Sequence, residues 1–384
     1  MEASASALER HLLGELVPYW AERGVDRRLG GFHNRLDGDG RPLAEDHKRL
    51  LVQTRQIYAF SEAARLGAGA SALELAAHGI AFLERFRDRA HGGYFHTATP
   101  AGEPLDRRKD CYGHAFVVFA LAHYGSAARD ADALAQARAT ASLAMERLRD
   151  RRAGGFVEAA DAAWRPLDAH PRRQNPHMHW VEALLALHEA APDAALLDAV
   201  RELVALAVER FFDPTSGALG EYFDADWRPA AGPAGALAEP GHHYEWTWLL
   251  LRPGAARAHT GAAALAERLF AFAERAGLDE DGLAFDEVDK SGRVLRDSKR
   301  LWPQTERLKA LAARGERERL AAALERCFAR YVRPDGGWRE HLDRAGRPLF
   351  DAQNATSVYH VVLALREALA CLRAGAPAAA SSRA

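Results

Sequence analysis

The chain has 384 residues, a formal net charge of −2 at pH 7 and 48% hydrophobic residues. The hydrophobic fraction is ample for a sizeable core, and the small net charge gives no electrostatic basis for binding nucleic acid or an anionic membrane. No apolar run approaches the roughly 18 residues that span a bilayer. Its three cysteines show no metal-type spacing, which favours a reducing compartment over a disulfide scaffold. Because the first residues also lack a signal-peptide pattern, we expect a cytoplasmic protein.

Six copies of a Gly-rich, aromatic-bearing phrase organise the chain. They read GGFHNRLDGDGRPL, GGYFHTATPAGEPL, GGFVEAADAAWRPL, GALGEYFDADWRPA, GLAFDEVDKSGRVL and GGWREHLDRAGRPL. The proline near each end (valine in the fifth copy) recurs at steps of 62, 62, 63, 65 and 54 residues, at Pro42, Pro104, Pro166, Pro229, Val294 and Pro348. Such a period is typical of one supersecondary unit copied around or along an axis.

Two helical patterns follow each of the first five phrases, with apolar residues at three- and four-residue spacing and Gly or Pro at their ends. The first pair reads RLLVQTRQIYAFSEAARLG and ALELAAHGIAFLERFRD, and the fifth reads PQTERLKALAARG and RLAAALERCFARYV. A lone helix over residues 7–23 precedes the first phrase. Another lone helix, over residues 356–373, follows the last phrase.

The two lone helices favour a closed ring. Together with the five pairs they give twelve helices, or six pairs if the termini meet, and an open solenoid has no reason to split one repeat between its ends. We therefore predict an all-α fold, an (α/α)6 barrel of six helical hairpin repeats with short β-hairpins or loops at one end. A single catalytic domain over residues 1–373 would precede a disordered tail, residues 374–384. The alternative is a linear helical-repeat binding scaffold.

Polar or aromatic side chains that do not suit a core begin the helix after each phrase. Arg55, His179 and His242 each lie 13 residues after the repeat proline, and His360 lies 12 after it. Equivalent positions of a closed ring converge on its axis, so we expect these side chains to meet in one pocket. Each has an ordinary structural explanation when taken alone, but recurrence at matching offsets favours a site. The candidate residues are Arg55, Tyr112, Asn175, His179, His242, Glu245, Trp302 and His360.

This set suits proton abstraction next to a carbonyl group. Two histidines can exchange protons near neutral pH, and Arg55 can stabilise an oxyanion. Glu245 lies one helical turn after His242 and is placed to orient its ring. Trp302 offers a flat face to a sugar ring.

Three other chemistries are less well supported. His177-x-His179 resembles a metal-ligand pair, but residues i and i+2 of a helix point roughly 200° apart. Glycoside hydrolysis needs paired carboxylates, and Glu245 and Glu306 are the only acids at the equivalent inner positions. Cys111 has no dedicated base and is better explained as a small buried residue. A metal site and a glycoside hydrolase stay as alternatives.

At these residues the chain resembles the N-acylglucosamine 2-epimerase family over essentially its full length. The markers are Gln53-x-Arg55-Gln56, Tyr112-Gly113-His114, Asn175-x-His177-x-His179-x-x-Glu182-Ala183, Gly241-His242-x-x-Glu245-Trp246, Trp302-x-Gln304-x-Glu306 and Tyr359-His360. The resemblance implies an (α/α)6 barrel without an obligatory metal or organic cofactor. It also implies that His242 and His360 are the acid/base pair. The sugar and its enediolate would be held by Arg55, Asn175, His179 and Glu245, and Trp302 would line the pocket. We add Tyr112 to the substrate-binding residues.

The form Gln174-Asn175-Pro176-His177-Met178-His179 is most similar to the mannose isomerase branch. We therefore predict a sugar isomerase that interconverts D-mannose and D-fructose through a cis-enediol(ate), with His360 as the base and His242 assisting ring opening. No metal or cofactor is expected, the partner is a small-molecule sugar, and a homo-oligomer is compatible with the sequence. The alternatives are a 2-epimerase of N-acylglucosamine, mannose or cellobiose-type sugars, and a non-catalytic helical sugar-binding scaffold.

Overall fold

The computed structural model of the protein describes residues 4–167 and 171–374, so the predicted disordered tail lies, from residue 375 on, outside the described residues. The described part contains fifteen α-helices. The first eight are α1 (Ala5–His11), α2 (Val17–Arg23), α3 (Leu50–Ala63), α4 (Ala70–Leu83), α5 (Cys111–Ala128), α6 (Ala131–Leu148), α7 (Gln174–Ala190) and α8 (Ala194–Leu206). The others are α9 (Pro233–Ala236), α10 (Pro240–Leu251), α11 (Pro253–Ala258), α12 (Ala262–Ala276), α13 (Leu301–Ala313), α14 (Arg317–Tyr331) and α15 (Ser357–Arg373). None of these helices combines the length and apolarity that a membrane span requires.

Strands of two or three residues lie between the helices. They are β1 (Arg35–Leu36), β2 (Lys48–Arg49), β3 (Thr97–Ala98), β4 (Lys109–Asp110), β5 (Ala159–Ala160), β6 (Arg172–Arg173), β7 (Tyr222–Phe223), β8 (Leu237–Ala238), β9 (Glu287–Asp289), β10 (Val294–Arg296), β11 (Lys299–Arg300), β12 (His341–Leu342) and β13 (Gln353–Asn354). A π-helical turn, Leu12–Leu16, joins α1 to α2 into one long terminal helix.

Six helices form a closed inner ring. Helices α3, α5, α7, α10, α13 and α15 contact one another in that order, and α15 returns to contact α3. The outer helices α4, α6, α8, α12 and α14 each pack on the inner helix that precedes them, and α1 packs on α15. The two terminal helices therefore complete the sixth pair, and the predicted (α/α)6 barrel is confirmed.

Short antiparallel strand pairs close the same ring at the end where the inner helices begin. The strand before each inner helix pairs with the hairpin strand of the next repeat, β2 with β3, β4 with β5, β6 with β7, β8 with β9 and β11 with β12. The last strand, β13, pairs with the first, β1. The predicted hairpins thus lie at one end of the barrel, around the start of every inner helix.

Burial distinguishes the inner helices from the outer ones. Every residue from 115 to 122 of the inner helix α5 is buried, which is typical of a helix surrounded by protein. In the outer helix α14 the buried residues recur every three or four positions, as on an amphipathic helix with one face on the core: Leu320, Ala323, Leu324, Cys327, Phe328 and Tyr331. The Asp110 carboxylate accepts from the Gly113 N–H at 2.7 Å and so caps the start of α5.

One Gln or His in each repeat ties the hairpin to the start of an inner helix. Its side chain accepts a hydrogen bond of 2.7–3.0 Å from a hairpin N–H, in the pairs Gln53–Phe32, His114–Tyr94, His177–Phe156, His243–Leu219, Gln304–Ala284 and Gln353–Trp338. Burial lowers the pKa of His114 to about 4, of His177 to about 3 and of His243 to about 4. These histidines are therefore neutral at pH 7 and satisfy backbone groups that are costly to bury unpaired.

Candidate active site

All eight predicted site residues lie on inner helices, within the first two turns at the hairpin end. Arg55 is on α3, Tyr112 on α5, Asn175 and His179 on α7, His242 and Glu245 on α10, Trp302 on α13 and His360 on α15. Every inner helix therefore contributes at least one of them. The side-chain contacts described below involve seven of the eight. Among the described residues, the Asn175 side chain makes no hydrogen bond to the others.

Arg55 is buried and held by polar and aromatic neighbours. Its Nη2 donates to the Tyr112 hydroxyl at 2.7 Å, and its Nη1 donates to the Thr356 carbonyl at 3.2 Å. The guanidinium also lies 4.4 Å from the ring centre of Phe116 and 4.7 Å from that of Tyr359. These contacts fix a positive charge in a dry setting, where it can stabilise a developing oxyanion.

His179 joins Tyr112 to a buried pair of glutamates. Its ring lies 4.9 Å from that of Tyr112, its Nδ1 bonds Glu182 Oε2 at 2.9 Å, and its Nε2 lies 4.0 Å from Glu245 Oε1. The Tyr359 hydroxyl donates to Glu182 Oε1 at 2.5 Å. Burial opposes ionisation of Glu182, but the hydrogen bond and charge of His179 outweigh it and lower the pKa of this carboxyl to about 2. Glu182 is therefore a fixed negative charge behind the His179 ring.

His242 is held by a carboxylate from the neighbouring hairpin. Its Nδ1 donates to Glu221 Oε2 at 2.9 Å, and the Gln174 amide donates to the same oxygen at 2.9 Å. Burial lowers the pKa of this histidine, but the Glu221 and Glu239 carboxylates outweigh burial and raise it to about 9. The His242 ring is therefore an imidazolium at neutral pH.

His360 has a similar carboxylate partner but a different charge balance. Its Nδ1 bonds Glu306 Oε1 at 2.7 Å, and the other oxygen of Glu306 lies 2.5 Å from the Lys309 ammonium. Burial, followed by the charges of Arg55 and Lys309, lowers the pKa of His360 well below its usual range. The His360 ring is therefore neutral at pH 7.

The Trp302 ring packs beside both histidines. Its ring centre is 5.0 Å from that of His242 and 5.8 Å from that of His360, and the side chain is only half-buried. Asn175 is also half-buried and lies one turn before His179 on α7. Its Oδ1 has no hydrogen-bond partner among the described residues, so the amide is free to bind a ligand hydroxyl.

The structure corrects the predicted role of Glu245 beside His242. The carboxylate that orients the His242 ring is Glu221, whereas Glu245 Oε1 lies 3.6 Å from Lys309 Nζ and 3.4 Å from the Tyr359 hydroxyl. The sequence does carry a signal for Glu221. In four repeats an acidic residue lies two positions after the hairpin residue whose backbone N–H donates to the Gln or His side chain of the inner helix. These acids are Glu158, Glu221, Asp286 and Glu340.

The predicted metal alternative at His177 and His179 is wrong. Both His177 nitrogens are used by the backbone, at Phe156 N and the Arg173 carbonyl. Three other groups place ligand-type atoms within 4.8 Å of one another: His179–Glu182–Glu245, Glu221–Glu239–His242 and Glu245–Glu306–His360. Protein donors already contact these carboxylates. The Lys309 ammonium lies beside Glu306 and Glu245. The Gln174 amide donates to Glu221, and the Arg300 guanidinium lies 3.1 Å from Glu239. The donor sets therefore do not fit a divalent cation.

The expectation that Glu245 and Glu306 are the only inner acids is also wrong. Glu182 and Glu221 belong to the same cluster, but three of the four carboxylates are bonded to histidines. This is unlike the acid and base carboxylates that flank a glycosidic bond. Cys111 is buried and its Sγ accepts from Trp180 Nε1 at 3.3 Å. Burial raises the pKa of this thiol well above its usual range, so Cys111 is a core residue as predicted.

The fold and the site together define the class of the protein. The barrel brings an imidazolium and a neutral imidazole beside one tryptophan and holds a buried arginine in the same site, which suits acid–base chemistry on a sugar. The protein is an enzyme of the sugar isomerase and epimerase class. The chain belongs to the N-acylglucosamine 2-epimerase (GlcNAc 2-epimerase) family, whose sequence pattern matches residues 30–364.

Individual relatives include both isomerases and epimerases. A mannose-6-phosphate isomerase of Rhizobium meliloti (strain 1021) is 34% identical over 374 residues, which cover 93% of this chain and 94% of the relative. A D-mannose isomerase of Thermobifida fusca is 32% identical over 304 residues, 73% of this chain and 72% of the relative. The structure of cellobiose 2-epimerase from Spirochaeta thermophila DSM 6192 matches with a TM-score of 0.84 at 28% identity over 96% of each chain. Family membership therefore leaves two reaction types.

Proposed function

We propose that the protein is an aldose–ketose isomerase that interconverts D-mannose and D-fructose through a cis-enediol(ate) intermediate. The observation that carries the proposal is the different charge environment of two histidines that both pack beside Trp302. The pKa of His242 is raised to about 9 by the carboxylates around it despite its burial, whereas burial and nearby cations lower the pKa of His360. At neutral pH one ring is an acid and the other a base, which is the separation that acid–base catalysis requires.

Ring opening uses the acid. The His242 imidazolium donates a proton to the ring oxygen of the pyranose, the O1 hydroxyl loses its proton to solvent, and the open-chain aldehyde forms. His242 then regains a proton from solvent, so this step changes neither the charge of the enzyme nor that of the sugar. Trp302 provides an apolar face against which the sugar can lie, because both histidine rings pack beside it.

Proton transfer between carbons uses the base. Nε2 of His360 takes the C2 proton. The electron pair of the C2–H bond forms the C1=C2 double bond, and the π electrons of the C1 carbonyl move to O1 to give the enediolate. Arg55 offsets that negative charge. The O2 proton then passes to O1 by way of His242, and the proton on His360 returns to C1 as the C2 carbonyl forms. The sum is an aldose converted to a ketose with no change in atoms or charge.

A 2-epimerase is the alternative of the same class, because an acid on the opposite face could return the proton to C2. Two observations favour the isomerase. Two relatives above 30% identity are named for isomerisation of mannose or its phosphate, and the motif from Gln174 to His179 resembles the mannose isomerase branch most.

Product analysis tests the proposal. Purified protein incubated with D-[2-13C]mannose should produce fructose, followed by 13C NMR, and the His360→Asn variant should produce none on the same timescale. Glucose as the product would establish the 2-epimerase instead. The same assay is run with N-acylglucosamine and cellobiose. If all three sugars stay unchanged, the result contradicts the proposed reaction and favours the non-catalytic alternative.

A phosphorylated mannose is a second candidate substrate. A cavity of about 480 Å³ beside Tyr112, at the hairpin end, is lined by Arg49, Arg108 and Arg173. Glu158 pairs with Arg173 at 2.7 Å, whereas the Arg49 guanidinium has no ion pair within 4.0 Å in the described part of the chain. A comparison of kcat/KM for mannose and mannose 6-phosphate tests this candidate. The Arg49→Gln variant should lose a preference for the phosphate and keep the activity on mannose.

A further inference from the structure

Lys309 is a buried ammonium group directly behind the proposed base. Its side chain is 0% exposed, and its Nζ lies 2.5 Å from Glu306 Oε2 and 3.6 Å from Glu245 Oε1. The ammonium also lies 4.2 Å from the ring centre of Trp248. Removal of such a charge from water costs several kcal/mol unless carboxylates compensate it, so the lysine and its two glutamates act as one electrostatic unit.

This unit forms a chain that ends at the base. Nδ1 of His360 bonds one oxygen of Glu306, and Lys309 contacts the other oxygen. Lys309 therefore acts on His360 through Glu306, without a direct contact of its own. A histidine and a carboxylate joined in this way share their protons, so the pair titrates as a unit.

The same protein contains a second pair that serves as an internal comparison. His242 and Glu221 have the same geometry, Nδ1 to carboxylate oxygen at 2.9 Å. Among the described residues no lysine or arginine lies within 4.0 Å of Glu221, whose second contact is the neutral Gln174 amide. The two pairs differ in their charges: Glu221 and Glu239 raise the pKa of His242 to about 9 against burial, whereas burial, Arg55 and Lys309 lower the pKa of His360. Burial and the Glu245 charge raise the pKa of Glu306, and the Lys309 ammonium opposes that rise.

We propose that Lys309 is a positioning residue whose ammonium keeps the His360–Glu306 pair one proton short, so that Nε2 of His360 is free to act as the base. The inference rests on the proposed function, because it assigns a base in that reaction. Without the ammonium, the pair would gain a proton. That proton has two possible positions. It makes His360 an imidazolium, or it makes Glu306 a neutral acid that donates to Nδ1 of His360. In both forms Nε2 carries a hydrogen, so His360 can no longer act as the base.

Other charged and titratable groups also face the pair. They come from the other inner helices and from α15 itself: Arg55, His179, Glu182, His242, Glu245 and Tyr359. Because the wild type and any Lys309 variant share these groups, a comparison of the two isolates the contribution of the ammonium.

The test is the pH dependence of kcat/KM for Lys309→Met. The acid limb reports protonation of the base, so it should move upward by about one to three pH units, the range for loss of a close charge. Lys309→Arg keeps a cation and should stay near the wild-type limb. Lys299→Met is the matched control, since Lys299 is equally buried and lies 2.8 Å and 2.7 Å from Asp279 and Asp281; it should leave the limb unchanged. An active, folded Lys309→Met enzyme with the wild-type limb would overturn the proposal.

Two further measurements keep the test independent of folding and of the substrate. The double variant Lys309→Met/Glu306→Gln removes both charges together and should return the limb toward that of the wild type. 15N NMR of the imidazole should show an unprotonated Nε2 on His360 at pH 7 in the wild type and a protonated one in Lys309→Met. This NMR readout needs no turnover, so failure of the mannose reaction and failure of this proposal are distinguishable. A protonated Nε2 in the wild type would refute the proposal.

Discussion

The charge balance of His242 gives the sharpest prediction, the effect of Glu221→Gln. The substitution keeps the size of the side chain and a hydrogen-bond acceptor for Nδ1. It removes the largest of the three carboxylate contributions, those of Glu221, Glu239 and Glu245, that raise the pKa of His242 from 6.5 to about 9. That rise of about 2.5 units corresponds to about 3 kcal/mol in favour of the imidazolium. Burial, which acts in the opposite direction, remains in the variant.

The pKa of His242 in Glu221→Gln should therefore fall by more than one unit. If it returned to 6.5, about 10% of the rings would be protonated at pH 7.5, against nearly all in the wild type. Because the acid must be protonated, we expect the basic limb of kcat/KM for mannose near pH 9 in the wild type and at a lower pH in the variant. Activity at pH 7.5 should fall by about tenfold from this effect alone.

The assay is the initial rate of fructose formation from pH 5 to pH 10. Glu239→Gln should shift the basic limb in the same direction but by less, because the Glu239 charge raises the pKa of His242 less than Glu221 does. Glu202→Gln, an exposed substitution outside the site, is the control and should leave the profile unchanged. A folded Glu221→Gln enzyme with the wild-type basic limb would refute the assignment of His242 as the acid.

Two further predictions concern the metal and the fold. Prolonged dialysis against EDTA should leave turnover unchanged, because Lys309 and Gln174 already occupy the buried carboxylates; loss of activity that a divalent ion restores would contradict the assigned use of Arg55. His177→Ala should lower the free energy of unfolding in urea by about 1–3 kcal/mol, since it leaves the Phe156 N–H unpaired. His177→Gln should recover much of that loss, because a glutamine makes the same bond in the first repeat, and equal stability of all three proteins would contradict the structural role.

The closed ring could be predicted from the sequence because one repeat is split between the termini. The helices over residues 7–23 and 356–373 are incomplete alone, and the structure shows α1 packed on α15 and β1 paired with β13. The convergence of Arg55, His179, His242 and His360 was predicted from their offsets of 13, 13, 13 and 12 residues after the repeat proline.

The sequence could not separate the site residues from the structural Gln and His residues. Both sets begin the inner helices, often only two positions apart, as in Gln53 and Arg55 or His177 and His179. A step of two residues turns a helix by roughly 200°, so one side chain reaches the hairpin while the other reaches the axis. Which of the two does so depends on the helix orientation, which the pattern of residues alone does not define.

The charged residues that contact the histidines could not be predicted from the sequence for a different reason. Glu221 reaches His242 because β6 pairs with β7 in the register that places Arg173 opposite Tyr222 and so brings Glu221 beside Gln174. Lys309 lies one turn after Glu306 on a helix whose amphipathic pattern also allowed an outward-facing lysine. Only the packed barrel shows that it is buried against two glutamates.

The most direct test of the central claim, a proton moved from C2 by His360, is the isomerisation of mannose in D2O. The wild type should place solvent deuterium at C1 of fructose, in a fraction set by how fast the protonated base exchanges before it returns the proton. His360→Asn should lose both deuterium incorporation and turnover, with kcat/KM lower by about 10²–10⁴-fold and an unchanged circular dichroism spectrum. Wild-type turnover and incorporation in folded His360→Asn would contradict the assignment and show that another group, such as His179, removes the proton.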